Sequence, residues 1–407
     1  MRDLLDFYQA EGLHSIAALP ALSELKTRAL ADFERLGFPT RHDEAWKYSA
    51  TDVLRTERYA AQTSAMTDWH RSSSDFPLTT LGKWPAGVIV LPWADAVITH
   101  AAIIAQYLGT IAVHTHGFLA QNTALFQEGL FIYVPSGVCL DEPLVMTHWQ
   151  DQMQQARFTR TLVIAEPNSS MTMLEYYQGD EQTAYFTNAL TEVYVGAGAH
   201  VTHYKIQRES PLAYHVGELA VLQAAGSQLN SHSLSLGGKW VRSDTTITLA
   251  APHAKCLMNG IYAPTGRQHV DHHTLVQHDA PDCVSDQNYK GMVSGQARAV
   301  FNGKVVVAHG AQHSHATQQN KNLLLSTQAE IDTKPQLDIF ADDVVCTHGA
   351  TVGQLDEEAL FYLGTRGISP LEASRYLVQA FVTDNLAHVA LKPLACWMSD
   401  LIMQQVG

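Results

Sequence analysis

The chain has 407 residues, 46% of them hydrophobic and 16% charged, which suits one large core or two to three domains and excludes wholesale disorder. A formal net charge of −14, from 26 Lys and Arg against 40 Asp and Glu, repels phosphate backbones and argues against nucleic acid as a partner. No run approaches the roughly 18–20 apolar residues of a membrane span, so no membrane association is expected.

The opening Met1-Arg2-Asp3-Leu4-Leu5-Asp6 places acids where a signal peptide needs an apolar run. Residues 1–85 are read as an N-terminal helical domain and linker. Leu4, Leu5 and Tyr8, then Leu22, Leu25, Ala29, Leu30 and Phe33, recur at three- and four-residue steps, and Pro39 closes that segment. Ser72-Ser73-Ser74-Asp75, followed by Pro77 and Pro85, has the composition of a linker or loop.

Residues 86–353 form the predicted β core. Short β-branched runs such as Gly87-Val88-Ile89-Val90-Leu91, Thr161-Leu162-Val163-Ile164, Glu192-Val193-Tyr194-Val195 and Lys304-Val305-Val306-Val307 alternate with Gly, Asn, Pro and Asp. A faint repeat places a turn-forming pair before an apolar residue at Ser169-Ser170-Met171, Ala199-His200-Val201, Ser227-Gln228-Leu229 and Ala254-Lys255-Cys256. Related placements follow at Pro281-Asp282-Cys283 and Gln312-His313. Such a period, without helices, suits a solenoid of stacked coils; an antiparallel sandwich also fits, and the regular spacing favours the solenoid.

Residues 354–407 return to a helical pattern and are read as a C-terminal helical domain. Asp356 to Leu363 predicts one helix ending near Gly364 or Gly367, and Ser369-Pro370-Leu371-Glu372 starts another with Ser as N-cap, Pro at the first position and Glu three residues after the cap. Helices at the end of a solenoid would also cap its open edge.

Five cysteines (Cys139, Cys256, Cys283, Cys346, Cys396) at irregular spacings give no CxxC pair and no disulfide framework, which points to reduced thiols in the cytoplasm. Histidine is abundant, at 21 residues. In Val344-Val345-Cys346-Thr347-His348, an extended backbone puts Cys346 and His348 on one face, a soft two-ligand half-site whose remaining ligands must come from elsewhere, for instance another chain. The plainer alternative is a buried small hydrophobe beside a hydrogen-bonded turn histidine. His269, Asp271 and His273 would share another strand face, as in His/Asp non-haem iron sites, and His309, His313 and His315 form a third group; both also fit a solvated polar face. The P-loop, GxGxxG, HExxH and GxSxG motifs are all missing from the sequence.

Several longer motifs carry a resemblance. Tyr289-Lys290-Gly291, Arg298 to Lys304, Asn322-Leu323-Leu324-Leu325-Ser326, Thr333-Lys334-Pro335-Gln336-Leu337, Ala341 to Gly353 and Leu360-Phe361-Tyr362-Leu363 with Arg366-Gly367-Ile368 resemble, in order and spacing, the SufB/SufD family of iron–sulfur cluster assembly proteins. Arg41 with Glu44-Ala45-Trp46-Lys47-Tyr48, the chain length and the lack of a cysteine-rich motif resemble its SufD branch. The resemblance implies a right-handed parallel β-helix core flanked by N- and C-terminal helical domains. It also implies a non-enzymatic scaffold that pairs with SufB through the β-helices and docks the ATPase SufC chiefly through residues 355–390. Cys346 and His348 match family positions at the SufB–SufD interface, where a nascent iron–sulfur cluster forms transiently and no cofactor is the chain's own. His269, His272 and His273 match no family ligand and are taken as surface histidines. Two other readings stand beside this one: a non-haem iron oxygenase using His269, Asp271 and His273, and a structural homodimer paired edge to edge, with homodimerisation also open to the isolated chain.

Overall fold

The computed structural model describes residues 2–62, 76–78 and 82–406; the Ser72 to Asp75 stretch read as a linker lies outside the described residues. From Leu130 the chain winds into a parallel β-solenoid of about eight turns. Each strand pairs with the strand two places on, so one sheet runs from Leu130–Val134 to Glu330–Ile339 and a second from Leu144–Gln150 to Val345–Gly353. Coil-to-coil pairing is parallel, which excludes the sandwich; antiparallel pairing is confined to Ile89–Pro92 against Leu130–Val134 among the described residues.

The corners show what sets the period. Asn168, Gly198, Gly226, His253, Asp282 and His313 all have φ between 57° and 65°, and each lies two residues before a strand of the second sheet. Their amides donate across coils: Asn168 to the Ala197 carbonyl, Gly198 to Ala225, Gly226 to Pro252, His253 to Pro281, Asp282 to Gln312 and His313 to Asp343. Glycine, asparagine and aspartate tolerate this left-handed backbone, which is why they punctuate the sequence. The register aligns Met171, Val201, Leu229 and Cys256, as the repeat predicts. The next coils align Ser285 and Ala316 instead of Cys283 and His313, because the left-handed residue, and not the apolar one, keeps the phase.

Alternation fills the lumen. Val163, Val193, Val221, Ile247, Val276 and Val305 stack inward from the first sheet against Met171, Val201, Leu229 and Cys256 from the second. His272 also points inward: it is 3% exposed, lies 3.1 Å from Ser235 Oγ and stacks on Tyr262, which corrects its reading as a surface histidine.

Helices cover the outer faces. α1 (Arg2–Ala18), α2 (Ser23–Leu36), α3 (Trp93–Thr99), α4 (Ala101–Tyr107) and α5 (Gly117–Leu125) lie over the early coils of the first sheet, where Tyr8, Phe33, Phe38 and Phe118 meet Phe158 and Phe186. The span from α3 to α5, included in the β core by the sequence reading, is thus helical, and the coils begin after it. Gly117 is required: a Cβ there would sit 1.8 Å from the Gly37 carbonyl oxygen.

α6 (Glu357–Thr365), α7 (Pro370–Leu386) and α8 (Lys392–Val406) follow the solenoid. Val378, Val382, Leu386, Met398 and Ile402 pack on Tyr204, Leu234, Ile261 and Met292, so α7 and α8 lie along the flank of the second sheet. Lys290 bonds the Phe381 carbonyl and the Asp384 carboxylate, and Asn385 donates to the Asn288 carbonyl, which fixes α7 to the coils. The helices therefore leave the last coil uncovered, contrary to the expected cap. The predicted capping box is present, with Ser369 Oγ accepting from the Glu372 amide at 3.3 Å and Glu372 Oε2 accepting from the Ser369 amide at 3.2 Å. Ser369→Ala is expected to cost about 1 kcal/mol in urea unfolding, with Ser369→Thr close to wild type. Among the described residues no helix is long and apolar enough to cross a membrane.

Candidate functional site

The open end of the solenoid is formed by Val345–Gly353, which pairs with His315–Leu324 on one side and, among the described residues, has a free edge on the other. Val345 donates to the Ser314 carbonyl, so by alternation the amides of Cys346, His348 and Ala350 point away from the coil below. Cys346 aligns with Ala316 and His348 with Gln318, both lumen-facing and buried, so the thiol and the imidazole share the inward side of the last strand. Two residues of extended chain separate their Cα atoms by roughly 6.6 Å.

Their surroundings differ. Cys346 is half-buried against the lumen core, and burial pushes its thiol up, offset in part by the Ala316 amide. Among the described residues no cation acts on it, so an incoming metal or a partner's charge would have to favour the thiolate. His348 is exposed and, among the described residues, has no side-chain hydrogen bond; it borders a shallow cavity of about 320 Å³ with Gln318, Asn320, Lys321 and Thr351. Two ligands at an open edge cannot close a four-ligand centre by themselves.

Apolar side chains surround this end. Ile339 is 40% exposed, Phe340 54%, Val345 58% and Val352 46%. A second exposed group, Phe361, Tyr362, Leu371 and Tyr376, lies on α6 and α7. Free strand edges bearing apolar residues are surfaces for pairing with another chain.

The histidine cluster at 269–273 has a different role. His269, Asp271 and His273 do share the outer face, but they serve to dock the N-terminal segment. Arg242 donates from Nη1 to Asp271 Oδ2 and to the Ala45 carbonyl, each at 2.8 Å, and its guanidinium lies 4.3 Å from the Trp46 ring. Ser49 donates to the Asp271 carboxylate and lies 2.8 Å from His269 Nε2, while His269 stacks on Trp240. The Glu44-Ala45-Trp46-Lys47-Tyr48 motif is thereby explained: Trp46 is buried between Arg242, Trp240 and Phe118. His309, His313 and His315 are exposed at a corner, where His313 faces Asp282 and Asp343.

Beside this dock is a cavity of about 630 Å³ bordered by Trp46, His116, Glu218, Asp244, His273 and Lys334. Burial, reinforced by Asp244, pushes the Glu218 carboxyl up to about 8. Sequence reading missed His116, Glu218 and Asp244 as a group. Glu218 and Asp244 are register partners in adjacent coils, a relation visible only once the coil phase is known.

Residues 148–381 match the SUF system FeS cluster assembly, SufBD core domain, and residues 67–146 match the SufBD protein N-terminal region. The iron–sulfur cluster assembly protein SufD of Escherichia coli is 32% identical over 86% of this chain and 85% of its own length. An iron–sulfur cluster assembly SufBD family protein of Synechocystis is 30% identical over 88% and 85%, and SufD of Bacillus subtilis is 28% identical over 79% and 74%.

Proposed function

The chain belongs to the SufBD family and takes part in iron–sulfur cluster assembly, and on that footing we propose that it is a non-catalytic scaffold subunit lending Cys346 and His348 to a cluster built at a subunit interface. The supporting observation is the position of these two side chains, on the inward face of the terminal strand, whose outer edge is unpaired among the described residues. A SufB-type solenoid pairs with that edge and supplies the missing ligands. The nascent cluster is cargo held in passing. The exposed apolar residues of α6 and α7 take a SufC-type ATPase, whose nucleotide-driven movement is transmitted through α7, fixed to the coils by Lys290 and Asn385. The compartment is the cytoplasm, consistent with five free cysteines and no disulfide among the described residues.

His348→Ala and Cys346→Ser test the ligand role in a complex reconstituted with SufB-type and SufC-type partners. His348→Ala is expected to slow cluster formation roughly ten- to hundredfold while the complex keeps its mass. Cluster formation at the wild-type rate in both single variants and in the double variant would remove these residues from the site.

A further inference from the structure

We infer that His116, Glu218 and Asp244 form a mononuclear site for a divalent transition-metal ion on the outer face of the first sheet, separate from the Cys346 and His348 edge. One ligand atom from each residue lies within 4.8 Å of the others. Glu218 and Asp244 stand directly opposite each other in neighbouring parallel strands, an arrangement of like charges that is destabilising unless a cation lies between them. His116 comes from a different element. It is the residue before α5, its ring packs edge-on against Trp46 at 5.1 Å, and its Nδ1 is shielded from solvent and has no hydrogen-bond partner among the described residues.

The surrounding groups orient the carboxylates without saturating them. Arg242 Nε donates to both Asp244 oxygens at 3.0 and 2.8 Å, and Thr246 Oγ1 donates to Glu218 Oε1 at 2.9 Å. Each carboxylate keeps acceptor capacity toward the cavity. Such outer contacts fix ligand orientation around bound metals.

Charge points the same way. Arg242 is shared between Asp244 and Asp271, Lys304 is paired with Asp338 and Lys334 with Glu44, and among the described residues Glu218 makes no ion pair. A divalent ion between the two facing carboxylates would favour the charged form of both. One imidazole with two carboxylates and no thiolate suits Fe²⁺, Mn²⁺ or Zn²⁺. Three protein ligands leave coordination positions open to water or to a small molecule entering the cavity.

The test uses the full chain after chelator treatment, with Mn²⁺ as the paramagnetic probe and Fe²⁺ (without oxygen) or Zn²⁺ as competitors. Expected are one Mn²⁺ bound per chain, displacement by a competitor, and a thermal midpoint raised by the ion. His116→Gln and Glu218→Gln should each weaken binding at least about tenfold. Glu218→Gln, which relieves the facing of two carboxylates, should keep or raise its metal-free midpoint and lose the metal-induced rise. Cys346→Ser/His348→Ala should bind Mn²⁺ as wild type does. The inference is overturned if the wild-type chain takes up none of the three ions at stoichiometric level. It is equally overturned if both Gln variants bind like wild type, or if binding disappears with Cys346 and His348.

Discussion

Arg242→Ala is expected to cost about 3–5 kcal/mol and to free the segment around Trp46 from the solenoid. The side chain is 2% exposed and joins three elements: Asp244 on its own strand, Asp271 one coil on, and the Ala45 carbonyl of the N-terminal segment. Truncation leaves Asp271, 1% exposed, with its charge uncompensated and opens a space beneath Trp46. Arg242→Met should recover the packing part of the loss and none of the charge part. The pH dependence separates the two further. Burial alone would push the Asp271 carboxyl up, but Arg242 and then His273 more than offset it and hold the group well below the usual carboxylate range. A lowered folded-state pKa gives stability that is present above about pH 4 and lost as pH falls below it. Without Arg242, burial dominates and Asp271 takes up a proton readily. The difference between wild type and Arg242→Ala in urea unfolding should therefore be large at pH 7 and shrink toward pH 4. A constant difference across that range would mean that lost packing, not lost charge pairing, accounts for it.

Val345→Lys/Val352→Lys is expected to weaken association with a SufB-type solenoid by a hundredfold or more, about 3 kcal/mol, while leaving the fold intact. Both valines are about half exposed on the last strand, so the substitutions disturb little of the chain's own core. Lysine on an exposed edge is a device by which proteins prevent strand pairing. The same substitutions should turn any dimer of the isolated chain into a monomer, since the two partners would compete for one edge. Sedimentation of the chain alone, then with its partner, reads both effects. Unchanged association in both settings would move the interface away from this end of the solenoid.

Much of this architecture was legible because a coil repeats its chemistry. The step from Met171 to Val201, Leu229 and Cys256 follows from apolar residues behind turn-formers, and Cys346 with His348 follows from the two-residue period of a strand. The capping box at Ser369 and Glu372 was legible for the same reason, as local chemistry at fixed spacing. What escaped the sequence depends on direction or on distant partners. Period two puts His269, Asp271 and His273 on one face and His272 on the other, but it does not say which face looks into the lumen. Arg242, Asp271 and Ala45 meet only because the N-terminal segment folds back over the first sheet. His116 joins Glu218 and Asp244 across about a hundred residues of chain, beyond the reach of any spacing rule. The α3 to α5 span was included in the β core because a short, fully buried helix such as α5 shows no amphipathic period.

The unbroken register between coils makes the solenoid a spacer of fixed gauge. At about 4.8 Å per coil, its turns hold the first coil and the open end roughly 35 Å apart, whatever side chains the outer faces carry. A single residue inserted within a strand would invert every side chain from there to the next corner, turning core outward. Changes in length are therefore confined to the corners or to whole coils, and the separation between the two ends can vary only in steps of one coil.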